Sequence, residues 1–139
     1  MKKYKVGYTQ GTFDLFHVGH LNVINNAKAQ CEYLIVGVNS DELVQEYKNK
    51  KTNICEKDRA RIVNAIKGVD KVIITKTLDK LAIQEILKFD AIFIGDDWKG
   101  NERWKTTQEE LSKLGVDVVF LPHTDGISTT EITRRIHER

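Results

Sequence analysis

Four short runs of aliphatic and β-branched residues punctuate the chain: 33–38 (YLIVGV), 71–75 (KVIIT), 91–95 (AIFIG) and 117–121 (DVVFL). Each is nearly continuous in apolar character and bounded by polar residues or glycine, the pattern of a strand buried on both faces of a parallel sheet. A weaker run at 4–8 makes a fifth. Between the runs, apolar residues fall at helical spacing: Leu21, Ile24 and Ala27 with Lys28; Ala60, Ile62, Val63 and Ile66; Leu81, Ile83, Ile86 and Leu87; then Leu111 and Leu114. Strand and helix alternate, which predicts βαβ units with right-handed crossovers: an α/β fold with a parallel sheet and helices on both faces. No repeat, low-complexity tract or Pro/Ser-rich linker divides the chain, so residues 1–139 read as one domain.

Charge alters this picture little. With 22 basic and 20 acidic residues the formal net charge is +2, too small a field to argue for nucleic acid or an anionic membrane, so any anion site must be local. Cys31 and Cys55 lack CxxC spacing, and the opening MKKYKVGYTQ has no apolar signal-peptide core, so a reducing cytoplasm is expected. No run of about 18 apolar residues is present to span a bilayer.

Open parallel sheets bind ligands at the carboxyl ends of their strands. The polar clusters fall there: 9–20 after the first strand, Asn39-Ser40-Asp41 after the second, Asp96-Asp97-Trp98 after the fourth and 122–130 after the fifth. Gly11-Thr12-Phe13-Asp14 is turn-like and leads into His17-Val18-Gly19-His20 at a helix start. Two histidines three residues apart on a first turn share a face with free backbone N–H groups and the positive end of the helix dipole, a phosphate cradle that Gly19 would let an anion approach closely. Zinc fits poorly, because His123 and His137 are isolated and supply no third ligand at recognisable spacing.

Near the C-terminus, Ser128 and Glu131 fit a capping box, and the adjacent Thr129-Thr130 hydroxyls make a second anion site at a second helix N-terminus. A plain helix cap accounts for Ser128 and Glu131 but not for the threonine pair. Lys48, Lys50 and Lys51 form a polar stretch that reads either as a solvated face or as flexible cations closing over phosphates. The Asp96-Asp97-Trp98 cluster offers carboxylates for ribose or base and an indole wall; a local turn would explain only one of the two aspartates.

On GTFDLFHVGH (11–20), NSDE (39–42), GDDWKG (95–100) and GISTTEI (126–132), the chain resembles the cytidylyltransferase family, most nearly its bacterial glycerol-3-phosphate branch. The resemblance implies a Rossmann-like, doubly wound sheet of five parallel strands, usually paired as a homodimer. It implies transfer of a cytidylyl group from CTP, with Mg²⁺ accompanying the nucleotide, to a phosphorylated small alcohol. His17, His20 and Lys48 would be catalytic. Thr12, Phe13, Gly19, Asp97, Trp98, His123, Gly126, Ile127, Ser128, Thr129 and Thr130 would hold the nucleotide. Asp41, Lys50, Arg59 and Lys80 would hold the acceptor, and Asp14 is the candidate carboxylate toward the metal. Arg59 on its helix surface could equally form a simple i,i+4 pair.

Departures fall on the acceptor and phosphate side. His123 and Lys67 stand where relatives carry arginine, and 76–81 (KTLDKL) lacks an aromatic residue expected near the acceptor. Competing readings are another acceptor (glycerol 2-phosphate, phosphocholine, phosphoethanolamine or a pentitol phosphate), an adenylyltransferase, or a non-catalytic nucleotide-binding module. A nucleic-acid domain built on the lysines lacks interleaved aromatics.

Overall fold

The computed structural model describes residues 2–96 and 100–138, so Asp97 and Trp98 lie outside the described residues. Its elements are β1 (Tyr4–Gly11), α1 (Val18–Lys28), β2 (Cys31–Asn39), α2 (Asp41–Lys48), α3 (Glu56–Asn64), β3 (Lys71–Thr75), α4 (Lys80–Leu87), β4 (Ala91–Gly95), α5 (Glu102–Lys113), β5 (Asp117–Leu121) and α6 (Thr129–His137). The strands form one all-parallel sheet in the order β3-β2-β1-β4-β5, the doubly wound arrangement expected from the alternation. Strand order reverses between β1 and β4, and a crevice opens there at the strands' carboxyl ends.

The three shorter strands coincide with their apolar runs, whereas β1 and β2 are longer than the hydrophobicity indicates. β1 continues through Thr9, Gln10 and Gly11, whose ladder partners are Val36, Gly37 and Val38. Polar side chains end the apolar run at Tyr8 while the backbone pairing carries on, and this extension delivers the loop after β1 to the crevice.

Alternate strand residues feed two core layers, as the two-residue pleat requires. Leu34, Val36, Val38 and Phe93 pack on one face with Ile24 and Ala27 of α1 and Val63 of α3. Ile35, Ile92 and Ile94 pack on the other with Ile83 of α4 and Leu111 of α5. Tyr8 stacks on Phe89 with ring centroids 5.1 Å apart and crosses the backbone at Gly37, where a Cβ would sit 2.2 Å from its hydroxyl. Only glycine fits there.

Two helices carry weak apolar signals for physical reasons. α2 buries only Leu43 and Val44, and α6 buries no residue, so neither shows a full apolar stripe. Among the described residues no helix is long and apolar enough to cross a membrane.

Candidate active site

His17 is the N-cap of α1, with extended backbone at φ −138° and ψ −179°. Its Nδ1 accepts the Gly19 N–H at 3.0 Å, and Nδ1 of His20 accepts the His17 N–H at 3.2 Å. Two histidines thus form the reciprocal capping box that Ser/Thr and Glu usually build. Since both Nδ1 atoms are acceptors, the neutral rings carry their protons on Nε2. The rings stack with centroids 3.8 Å apart. Burial, then the proximity of His17, push the His20 pKa down to about 4 against a small opposing pull from Asp14; burial also lowers His17. Near neutral pH the pair presents two Nε2–H donors at the positive end of a helix, without charge of its own. Gly19 is required for this: a Cβ there would meet Cε1 of His17 at 2.8 Å and Nδ1 at 2.9 Å. Its absent side chain therefore serves the neighbouring imidazole as well as any approaching anion.

The loop between β1 and α1 is strained. Phe13 and Leu15 adopt left-handed backbone at φ 55° and 50°, costing roughly 1–2 kcal/mol each for L-residues. The surroundings hold it. Asp14 is buried, and its carboxylate accepts the Asn53 N–H (2.9 Å), the Asn53 side-chain amide (3.0 Å) and the Ile54 N–H (2.9 Å). Arg59 is fully buried, donating to Ile54 O (2.8 Å), Thr12 O (2.7 Å), Asn39 O (2.8 Å) and Asp41 Oδ1 (2.5 Å).

This geometry places two of the expected acceptor residues outside the cleft. Arg59 is not on the helix surface; it is the bolt between the loop, the end of β2 and α3. Asp41 spends its carboxylate on Arg59, the Thr52 hydroxyl and the Glu56 N–H, while its own N–H donates to Glu56. Partial burial pushes the Asp41 carboxyl up, but these donors, led by Arg59, hold it below the usual carboxylate range. Neither residue lines the cleft. Asp14, with three N–H donors already seated, is likewise ill-suited to a metal, and among the described residues no three His, Cys, Asp or Glu side chains converge as a metal site.

A second helix N-terminus meets the first. Ser128 caps α6 by accepting the Glu131 N–H at 3.0 Å, but the Glu131 carboxylate turns to Arg134 and Arg135, so the expected capping box is only half built. Thr129 donates its hydroxyl to Asp14 O at 2.6 Å, tying α6 to the strained loop, and the Asn22 amide reaches Thr124 at 2.8 Å. Ile127 lies close to Gly19, 3.6 Å from where a Cβ would be. Gly126 takes the left-handed φ of +79° that turns the chain into α6. His123 pairs through Nδ1 with Asp96 (3.0 Å) and through Nε2 with Asp125 (3.1 Å).

These elements enclose a cleft of about 770 Å³ at the sheet's carboxyl end. Thr12, Phe13, Asp14, His20, Lys48, Lys50, Lys80, Thr129 and Thr130 line it, so nine of the nineteen expected residues converge there. His17, stacked on His20, does not line it, nor do Gly19, His123, Gly126, Ile127 and Ser128. Lys48 and Lys50 are exposed at the end of α2, where Asn49 closes the helix at φ 49°. Lys80 is half-buried; burial, reinforced by Arg103, lowers its pKa to about 8.

Sequence reasoning missed a polar relay beneath the cleft. The Tyr8 hydroxyl donates to Gln10 (2.7 Å), the Gln10 amide to Asn39 (2.8 Å), and the Asn39 amide to Thr12 (3.3 Å) and Tyr47 (3.1 Å). Asn39 was visible as a polar residue closing an apolar strand; Tyr47 carried no signal beyond being an aromatic on a polar helix. Arg103, Trp104 and Thr107 of α5 also line the cleft and were not anticipated.

The arrangement suits binding of a polyanion: two helix N-termini, a stacked pair of imidazole donors and exposed lysines at one cleft. Comparison with known proteins agrees. Residues 8–135 match the family model described as cytidylyltransferase-like. The glycerol-3-phosphate cytidylyltransferase of Bacillus spizizenii is 41% identical over 91% of this chain and 92% of its own, and that of Bacillus subtilis is 38% identical over 92% and 94%. The crystal structure of a lipopolysaccharide core biosynthesis protein from Thermoplasma volcanium superposes with a TM-score of 0.72 at 26% identity, covering 87% of this chain and 97% of that one. A family match that runs from the second half of β1 into α6, and so takes in both helix N-termini and the histidine pair, makes the chain a member of the cytidylyltransferase-like family.

Proposed function

We propose that this protein is a nucleotidyltransferase that joins CTP and glycerol 3-phosphate to give CDP-glycerol and pyrophosphate. The observation that carries the reading is the stacked His17–His20 pair, neutral and locked as Nε2–H donors, at the junction of two helix N-termini. CTP and glycerol 3-phosphate as substrates are supported by the relatives' activity and their coverage of nearly the full chain.

In the reaction an oxygen of the acceptor phosphate attacks the α-phosphorus of CTP. The new P–O bond forms as the bond to the α–β bridging oxygen breaks, and that electron pair leaves with pyrophosphate. Charge spreads over the phosphoryl oxygens, so fixed donors accelerate the step without any covalent nucleophile. His17 and His20 donate Nε2–H to the α-phosphoryl oxygens, and being uncharged donors they lose no proton in doing so. Lys48 and Lys50 sit at an exposed helix end and close over the outer phosphates and the acceptor. The first-turn N–H groups of α6, with Thr130, cradle the far side, while Thr129 holds the loop in register. Mg²⁺ arriving with the nucleotide would add positive charge to the leaving group. We further propose that the enzyme acts in the cytoplasm as a homodimer, which light scattering of the purified protein tests.

A pyrophosphate-release screen crossing the four nucleoside triphosphates with glycerol 3-phosphate, glycerol 2-phosphate, phosphocholine, phosphoethanolamine and pentitol phosphates tests the whole reading. CTP with glycerol 3-phosphate should be the best pair. Release with ATP only would make it an adenylyltransferase, and silence with every pair would leave a nucleotide-binding module; either outcome refutes the proposal.

A further inference from the structure

The cleft continues past the nucleotide end to a lip formed by the start of α4 and the first turns of α5. Lys80, Arg103, Trp104 and Thr107 line it. The Lys80 ammonium sits 5.7 Å from the centroid of the Trp104 ring and donates to Leu78 O at 3.1 Å. Trp104 is anchored beneath, packed on the layer that includes Ile83, Phe89 and Leu111. Arg103 is exposed at the second position of α5, after the N-cap Asn101, and its guanidinium has no hydrogen-bond or ion-pair partner among the described residues. Asp79, whose charge acts on Lys80, already accepts the Leu81 and Ala82 N–H groups as the cap of α4.

Two cations at one end of a cleft repel each other until an anion arrives. Burial first, and then Arg103, lower the Lys80 pKa against an opposing pull from Asp79. The nucleotide's phosphates already have the helix N-termini and the histidines, so this second cationic group faces a second anion.

We propose that α5 completes the acceptor subsite: Arg103 acts with Lys80 to hold the phosphate monoester of a small polyol, and Trp104 braces Lys80 and closes the cleft against longer carbon chains. This rests on the proposed reaction and assigns part of its specificity. It also explains how the chain does without an aromatic residue in 76–81, since α5 brings an indole to Lys80 from outside that segment.

The test is steady-state pyrophosphate release by full-length wild type, Arg103→Gln, Arg103→Lys, Trp104→Leu and Trp104→Phe. Arg103→Gln should raise KM for glycerol 3-phosphate about five- to tenfold, the size of one exposed charge-assisted contact, with KM for CTP and the melting temperature unchanged. Arg103→Lys should recover part of the loss. Trp104→Leu should raise kcat/KM for a pentitol phosphate relative to glycerol 3-phosphate, and Trp104→Phe should keep wild-type selectivity; because Trp104 touches the core, each variant's melting temperature is recorded alongside. An active wild type whose Arg103→Gln and Trp104→Leu forms keep the original acceptor KM and selectivity overturns this assignment alone. A wild type silent with every acceptor overturns the reaction and this subsite together.

Discussion

Arg59 separates two accounts of the site sharply. If it held the acceptor, replacing it would raise the acceptor KM and leave stability alone. The structure instead buries it completely, with donors on three backbone carbonyls (Thr12, Asn39 and Ile54) and on Asp41. In Arg59→Met those carbonyls lose their partners, at about 1–3 kcal/mol for each that stays buried, and Asp41 loses its counter-ion. Asp41's side chain is 43% exposed, so water recovers much of its share. A net loss of roughly 3–5 kcal/mol follows, the range for breaking a buried pair. At about 3 °C per kcal/mol for a chain of this size, the melting temperature should fall by roughly 10–15 °C.

The functional consequence should be unselective. Arg59 holds Thr12 O, at the start of a loop whose Phe13 and Leu15 are left-handed, so a freed loop relaxes and displaces the histidine cap. Both substrates' KM values should rise and kcat should fall. Arg59→Lys should not rescue, because one ammonium cannot reach carbonyls on three segments and Asp41 at once. Differential scanning calorimetry and steady-state kinetics at low temperature make the comparison. A melting shift under about 3 °C, combined with a rise confined to the acceptor KM, would refute the bolt and restore the acceptor role.

Three further outcomes follow from the same geometry. Long-range ¹⁵N–¹H correlation spectra should show His17 and His20 as Nε2–H tautomers at neutral pH, with His20 titrating near 4. Because its folded pKa lies below the ordinary 6.5, the unfolded chain takes the proton first, so stability should fall as pH drops from 6.5 toward about 4, and His20→Gln should lack that component of the melting-temperature profile. Gly19→Ala should leave the melting temperature nearly unchanged, since alanine favours the helix, yet cut kcat by about 10²–10³ by pushing the His17 ring aside; wild-type turnover would show that the ring has room. Lys80, held to about 8, should lose its charge above that pH, so the acceptor KM should climb through the alkaline range while Lys80→Arg stays flat; parallel curves for both would remove Lys80 from the acceptor contact.

What the sequence revealed and what it hid divide along the range of the interactions involved. The strands Lys71–Thr75, Ala91–Gly95 and Asp117–Leu121 were readable because a strand buried on both faces is a contiguous apolar run. α2 and α6 bury too little to show a stripe. The histidine pair was legible because spacing three places both rings at one helix start. Arg59 was not: nothing in EKDRARI marks which arginine turns inward, since its acceptors lie as far away in sequence as Thr12, 47 residues back. The same holds for Asp14 and Asn53, and for Lys80 and Trp104, whose partners are set by the strand order rather than by local pattern. Protonation lies between these cases. Spacing alone left the charge of His17 and His20 open, because an imidazole near its ordinary pKa can take either state at neutral pH. Placing the N-cap at His17 resolves it: the cap directs two backbone N–H groups at the two Nδ1 atoms, and an acceptor nitrogen cannot carry the proton. The chemically decisive property of the site therefore depends on one backbone boundary, and any substitution that shifts the cap of α1 by a residue should change the tautomers before it changes the fold.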